Sequence, residues 1–164
     1  MSLEEICQWL ESSMVGTMVR ESTWGFPIVV AIHILGLTVS VGVIIWFDLR
    51  LLGASMSRCR VSEVYRRLAP WALTGFAAMF TSGGVLLSGF ATAASMNLYF
   101  QIKLVALLLA GLNILVYHLH TERRIAQWDE ARRPVLAARM AGLISIVLWI
   151  TVIMAGRMMS YTMF

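Results

Sequence analysis

Four long apolar runs dominate the sequence, and each approaches the length of a membrane-spanning helix. A hydrocarbon core about 30 Å thick requires about 20 predominantly apolar residues. The runs cover residues 26–47, 70–94, 98–120 and 135–159. Only 13% of the 164 residues are charged, against about 25% in a soluble domain. The sequence therefore predicts one all-α membrane domain over residues 1–164, a four-helix bundle in contact with the lipid bilayer.

Residues 1–22 have a different pattern. Apolar side chains recur there at helical spacing, and glutamates occupy the other face. This pattern predicts an amphipathic helix that lies in the membrane interface before the first span, with Trp9 as a possible anchor. The segment has no basic start of the kind that opens a signal peptide, so we expect the first apolar run itself to direct insertion.

Two of the three loops between the runs are rich in arginine. The arginines that lie in or flank these loops are Arg50, Arg58, Arg60, Arg66 and Arg67 for the first, and Arg123, Arg124, Arg132, Arg133 and Arg139 for the second. The remaining loop, near residues 93–97, has no basic residue. The positive-inside rule predicts cytoplasmic arginine-rich loops and periplasmic termini in a bacterial inner membrane. This distribution accounts for the net charge of +4 without a nucleic-acid partner.

One group of polar and sulfur-containing side chains is predicted at similar depth in the outer part of the bilayer. It consists of His33, Lys103, Met154, Arg157, Met158 and Tyr161. Ionisable groups inside a membrane are costly, so they are functional candidates by default. No acidic residue in the spans balances these cations, and we therefore expect a bound anion or a cofactor head group beside them.

Several cofactors are compatible with this group. In a b-type haem site, His33 would be one axial ligand, Met154 or Met158 the other, and Lys103 and Arg157 would pair with the propionates. Histidine with methionine also suits copper(I), so His33, Met154 and Met158 are candidate metal ligands. A quinone head group is a further candidate. With no cofactor, His33 would join two helices by a hydrogen bond and the methionines would fill gaps.

These alternatives correspond to three functions. The first is a small membrane subunit that binds haem b or a quinone near the periplasmic face for electron transfer. The second is a cofactor-free accessory subunit that docks on a larger membrane complex, and the third is a copper-handling membrane protein. The expected partners are a periplasmic or membrane protein, or a second copy of the chain. No serine-, cysteine- or carboxylate-based catalytic constellation is visible, which argues against a stand-alone enzyme.

Other polar positions are expected to be structural. Pro70 should lie near the start of the second span, where its missing N–H costs little. Asp48 and Arg50 should close the first span and pair with neighbouring side chains such as Arg58. His118 is expected at the membrane interface.

Several stretches resemble a family of bacterial four-span membrane proteins that has no assigned activity. They are residues 26–36 with His33, DLRLLG at residues 48–53, Pro70-Trp71, Phe100 with Lys103, residues 110–113 with His118, Trp128-Asp129, and Trp149 with Gly156-Arg157 and Tyr161. In that family a glutamate precedes the histidine of the first span by three residues, and Val30 stands there in this chain. The family is loosely similar to copper-resistance-type and cytochrome-type bundles. The resemblance implies importance for His33, Lys103 and Arg157.

Overall fold

The computed structural model describes residues 2–163, apart from the side chains of Leu3 and Glu122. The helices in chain order are α1 (Leu3–Ser12), α2 (Met14–Glu21), α3 (Gly25–Leu52), α4 (Val61–Gly89), α5 (Ala91–Met96), α6 (Leu98–Val116) and α7 (Leu136–Met163). After α6 the chain makes a π-helical turn at Tyr117–Thr121 and a 3-10 helix at Glu122–Gln127. Four helices (α3, α4, α7, and α6 with its π turn) are apolar and long enough to cross a membrane. The predicted all-α four-helix bundle is confirmed.

Helix α3 is at the centre of the bundle. It packs against α4 on one side and α7 on the other, and α7 packs against α6. The contact between α3 and α4 is a close backbone approach, because a β-carbon added to Gly75 would lie 2.6 Å from the Ser40 nitrogen. Small residues allow such approaches between membrane helices. The α3–α7–α6 contact is filled by Val41, Ala106 and Trp149.

Helix α4 begins at Val61, so the prediction that Pro70 lies near its start is wrong. A helix leaves its first N–H groups without partners, and here Asp129 supplies them from the segment before α7. The Asp129 carboxylate accepts from the Ser62 N–H at 2.8 Å and from the Ser62 hydroxyl at 2.6 Å. The Asp129 main-chain carbonyl accepts from the Val61 N–H at 3.1 Å. Pro70 therefore lies inside the helix.

The same contacts set the charge of Asp129. Burial by itself would raise the pKa of its carboxyl, but the two hydrogen bonds from Ser62 and the nearby Arg60 hold the pKa below its usual value. Asp129 is therefore ionised at neutral pH. A carboxylate at the start of a helix also interacts favourably with the helix dipole.

The prediction of one amphipathic helix over residues 1–22 is corrected in one respect, although Met1 lies outside the described residues. The segment forms two helices that break at Ser13, whose hydroxyl caps α2 by accepting from the Gly16 N–H at 3.1 Å. Helix α2 also packs directly on the end of α4, since a β-carbon at Gly16 would lie 2.5 Å from the Ser88 carbonyl oxygen. Contact with the bundle therefore fixes this segment, while Trp9 stays exposed.

Helix α3 continues past Asp48 and Arg50 and ends at Gly53, which has a φ of 76°. This is the left-handed conformation that glycine adopts readily at helix ends. Arg50 is 0% exposed. Its Nε and Nη2 atoms donate to the Cys59 carbonyl at 2.9 and 2.7 Å, and Nη2 also donates to the Ala131 carbonyl at 3.2 Å.

The expectation that Asp48 and Arg50 pair with loop side chains such as Arg58 is therefore wrong. Main-chain carbonyls of both arginine-rich loops turn toward Arg50, so the guanidinium joins the two loops. The loops accordingly lie at the same end of the bundle. We call this the arginine-rich end, and the end formed by α1, α2 and α5 the opposite end.

Candidate functional site

His33 lies in the half of the bundle near the opposite end, where α3 contacts α4. Its Nδ1 atom is 2.9 Å from the Met79 carbonyl oxygen and 3.1 Å from the Ser82 hydroxyl. Because a carbonyl can only accept, we assign the proton of the neutral ring to Nδ1, which leaves the lone pair on Nε2. Gly83 makes room for the ring, since a β-carbon there would lie 3.1 Å from His33 Cε1.

Lys103 approaches the same region from α6. Its ammonium group lies within electrostatic range of the His33 ring. Its Nζ atom lies beside Gly156 of α7, where an added β-carbon would be 3.5 Å away. The ion pairs between residues 2 and 163 lie elsewhere in the chain. Among the described residues, the structure therefore brings a histidine and a lysine together without a carboxylate partner.

The other predicted ligands do not join this pair in an enclosed site. Met154 is 53% exposed on α7, and Met158 is half-buried. Arg157 donates to the Tyr161 hydroxyl at 3.2 Å and lies 5.0 Å from the centre of the same ring, and both side chains are exposed. Between residues 2 and 163 there is also no group of three His, Cys, Asp or Glu side chains placed to hold a metal. The assignment of these residues as cofactor ligands stays a prediction.

A cleft of about 310 Å³ lies in the other half of the bundle, near the arginine-rich end. Helices α4 and α6 form its walls, and α3 and α7 form its floor. Its lining is mainly apolar and includes Ile44, Phe47, Phe76, Phe80, Leu107 and Trp149. Leu73, Phe80 and Ile114 are exposed at its rim, so the cleft opens sideways on the surface that faces lipid.

The cleft exists because α4 and α6 scarcely touch each other. Each packs instead on the central pair, α4 on α3 and α6 on α7. Small side chains leave the space between the walls unfilled. Ala69 and Ala72 line the α4 side, and Gly111 lines the α6 side. A β-carbon added to Gly111 would have no atom within 4 Å. The space is therefore wide enough for a ligand.

The cleft also contains polar groups. Asp48 is only 4% exposed and lines the cleft together with Asn113, Ser145 and His118. The Ser145 hydroxyl lies beside the Asp48 carboxyl, while Asp48 Oδ2 has no hydrogen-bond partner among the described residues. Asn113 donates to the Ala141 carbonyl at 2.9 Å. The cleft thus combines apolar walls with a buried carboxyl at its base.

Sequence reasoning missed this site because Asp48 and Arg50 read as the end of a span. A usable signal was present, since Asp48 follows Val41 and Ile44 at helical spacing and so continues the face of α3 that packs in the core. His118, expected at the interface, also lines the cleft, with its ring centre 5.5 Å from that of Tyr65.

The chain can be placed in a family. Residues 6–162 match the model of a family described as "Family of unknown function (DUF6644)". This agrees with the resemblance to a family that has no assigned activity. No curated protein and no solved structure is similar to the chain. This multi-pass membrane protein therefore belongs to DUF6644, a family of unknown function.

Proposed function

We propose that this protein is a membrane-embedded subunit that binds a lipophilic redox carrier of the quinone class for electron transfer. The observation that supports this is the laterally open, apolar cleft with a buried carboxyl at its floor. Ligand pockets have volumes of about 300–1,000 Å³ and combine apolar walls with a few polar groups, as this cleft does. The carrier would enter from the bilayer between α4 and α6.

The walls suit a flat ring. The ring centres of Phe76 and Trp149 lie 5.4 Å apart, and those of Phe76 and Phe80 lie 5.9 Å apart. Aromatic side chains stack favourably on other ring systems. The isoprenoid tail of a quinone would leave through the rim into lipid. A partner protein in the same membrane would exchange electrons with the bound carrier.

The proposed site differs in position from the one predicted near the periplasmic face. From the positive-inside rule we expect the arginine-rich end, and with it the cleft, on the cytoplasmic side of a bacterial inner membrane. Cys59 is exposed in the first arginine-rich loop. A membrane-impermeant thiol reagent should therefore label Cys59 only after the cytoplasmic side is opened, and labelling of intact cells would reverse the proposed orientation.

Filling the cleft tests the function. Gly111→Phe places a ring where the wild-type chain has open space, so it should block the cleft without straining the bundle. We expect a short-tailed para-benzoquinone to bind the wild-type protein in lipid nanodiscs and to bind Gly111→Phe at least about tenfold more weakly. Empty nanodiscs give the baseline for partition into lipid.

The matched control is Gly42→Phe. Gly42 also has no atom within 4 Å of an added β-carbon, but it does not line the cleft. It should bind the benzoquinone as the wild-type does. No binding to wild-type protein above the nanodisc baseline, or equal binding by wild-type and Gly111→Phe, would contradict the proposed function.

His33 supports a second candidate, electron transfer through a b-type haem, or copper handling. Histidines that ligate a metal through Nε2 commonly donate their other N–H to a carbonyl, as His33 Nδ1 does to Met79. The resemblance to cytochrome-type and copper-resistance-type bundles favours the same two candidates. A reduced-minus-oxidised absorption spectrum with a sharp α band, lost in His33→Ala, is the expected result for haem. Copper that co-purifies with the wild-type chain but not with His33→Ala is expected for copper handling. If both signals are absent, the cofactor-free accessory role remains.

A further inference from the structure

The Asp48 carboxyl at the base of the cleft lacks a partner for one of its oxygens. Its side chain is almost completely buried, and Oδ2 makes no hydrogen bond within residues 2–163. A buried polar group without a partner is destabilising, and most such groups in proteins are satisfied. Because Oδ2 belongs to a residue that lines an open cleft, a ligand in the cleft can supply the missing hydrogen bond.

The surroundings narrow the class of ligand. The acyl chains of a lipid carry no group that could pair with Asp48. An anionic head group would be repelled by the Asp48 carboxylate in its ionised form, and no arginine or lysine among the described residues lines the cleft to offset that repulsion. A neutral ring that carries oxygens avoids this penalty. Ser145 and Asn113, which also line the cleft, are neutral as well.

We infer that Asp48 is the head-group contact of the cleft and hydrogen-bonds to a ring oxygen of a quinone or quinol. A protonated carboxyl donates to the carbonyl of a quinone, and an ionised carboxylate accepts from the hydroxyl of a quinol. The same residue can therefore hold both forms of the carrier. This inference rests on the proposed function, since it requires that the carrier occupies the cleft.

The test compares two ligands on the wild-type protein, two Asp48 variants and one control variant. The ligands are a short-tailed para-benzoquinone and a benzene that carries the same tail without the two oxygens, both measured in lipid nanodiscs. The proteins are the wild type, Asp48→Leu and Asp48→Asn. Leucine has the same branching at Cγ as aspartate and removes the unpaired polar group. Asparagine keeps a hydrogen-bond donor. Asp129→Asn, which removes a carboxyl outside the cleft, is the control.

The wild-type protein is expected to prefer the benzoquinone over the apolar analogue by about tenfold, the magnitude of one hydrogen bond to an ionisable group. Asp48→Leu should bind both ligands equally, at the level of the apolar analogue. Asp48→Asn should keep the benzoquinone affinity within about threefold of wild type. Asp129→Asn should keep the full preference. Helicity and the thermal unfolding midpoint, measured on each variant, show that the bundle is intact.

The outcomes separate the inference from the proposed function. If the benzoquinone binds and Gly111→Phe blocks it, but Asp48→Leu keeps the preference for the benzoquinone, the inference fails and the proposed function stands. Equal loss in folded Asp48→Leu and Asp48→Asn would also contradict a hydrogen-bonding contact, because asparagine keeps a donor. If neither ligand binds the wild-type protein, the proposed function itself fails.

Discussion

Gly75→Leu is expected to prevent α3 and α4 from packing and to destabilise the folded protein by at least about 3 kcal/mol. Overpacking a core with side-chain atoms costs about 1–3 kcal/mol. At Gly75 the obstacle is the backbone itself, since a β-carbon would lie 2.6 Å from the Ser40 nitrogen and 2.8 Å from the Gly36 carbonyl oxygen. Neither atom can move unless a whole helix moves, so the loss should exceed that of ordinary overpacking.

The measurement is the free energy of unfolding in mixed micelles as the denaturing detergent fraction rises. Gly84→Leu is the matched control, because Gly84 is on the same helix and an added β-carbon has no atom within 4 Å. It should unfold like the wild type or be slightly more stable, because leucine favours helix more than glycine does. Equal stability of the two variants would mean that α3 and α4 do not cross at Gly75.

Arg50→Ala is expected to have the second-largest effect, a loss of about 3 kcal/mol. Hydrogen bonds to charged groups contribute about 1.5–3 kcal/mol each, and the two carbonyls would lose their donor inside the protein. The Cys59 and Ala131 carbonyls accept from Arg50 at 2.7 and 3.2 Å. The two arginine-rich loops should then separate, and a protease added to the purified protein should cut residues 122–135 more rapidly.

Two further variants show which property of Arg50 causes the loss of stability. Arg58→Ala removes a neighbouring arginine that is exposed, so its unfolding free energy should stay within about 0.5 kcal/mol of wild type. Arg50→Lys keeps the charge but not the planar fork that reaches two carbonyls. It should recover only part of the loss. Full recovery in Arg50→Lys would show that charge alone, without the forked geometry, joins the loops.

The bundle could be predicted from the sequence because lipid imposes a simple rule. Long apolar runs must form helices that satisfy their own backbone hydrogen bonds, and their number and order follow directly. The start of α4 could not be predicted, because Val61 and Ser62 take their partners from Asp129. The break at Ser13 depends similarly on a local cap and on the contact of Gly16 with α4.

The candidate site was less predictable for a physical reason. Depth arithmetic placed His33 and Lys103 at similar levels, and the structure does bring them near each other. Depth arithmetic could not give the rotation of α7 about its axis, which leaves Met154 exposed. The cleft depends on which helices touch, and the gap between α4 and α6 follows from pairings that apolar periodicity does not encode. Asp48 becomes a candidate only once that gap is known.

The contact between Asp129 and the start of α4 limits the order in which the chain can fold during synthesis. Ser62 and its partner Asp129 are separated by 67 residues, and α6 lies between them. The hairpin of α3 and α4 therefore enters the membrane before its contacts at the arginine-rich end can form, and the bond from Arg50 to the Ala131 carbonyl is delayed in the same way. Both contacts close only after the third span has been inserted. A nascent chain halted before residue 129 should consequently expose this end of the hairpin to chaperones and proteases, whereas a chain released after it should not.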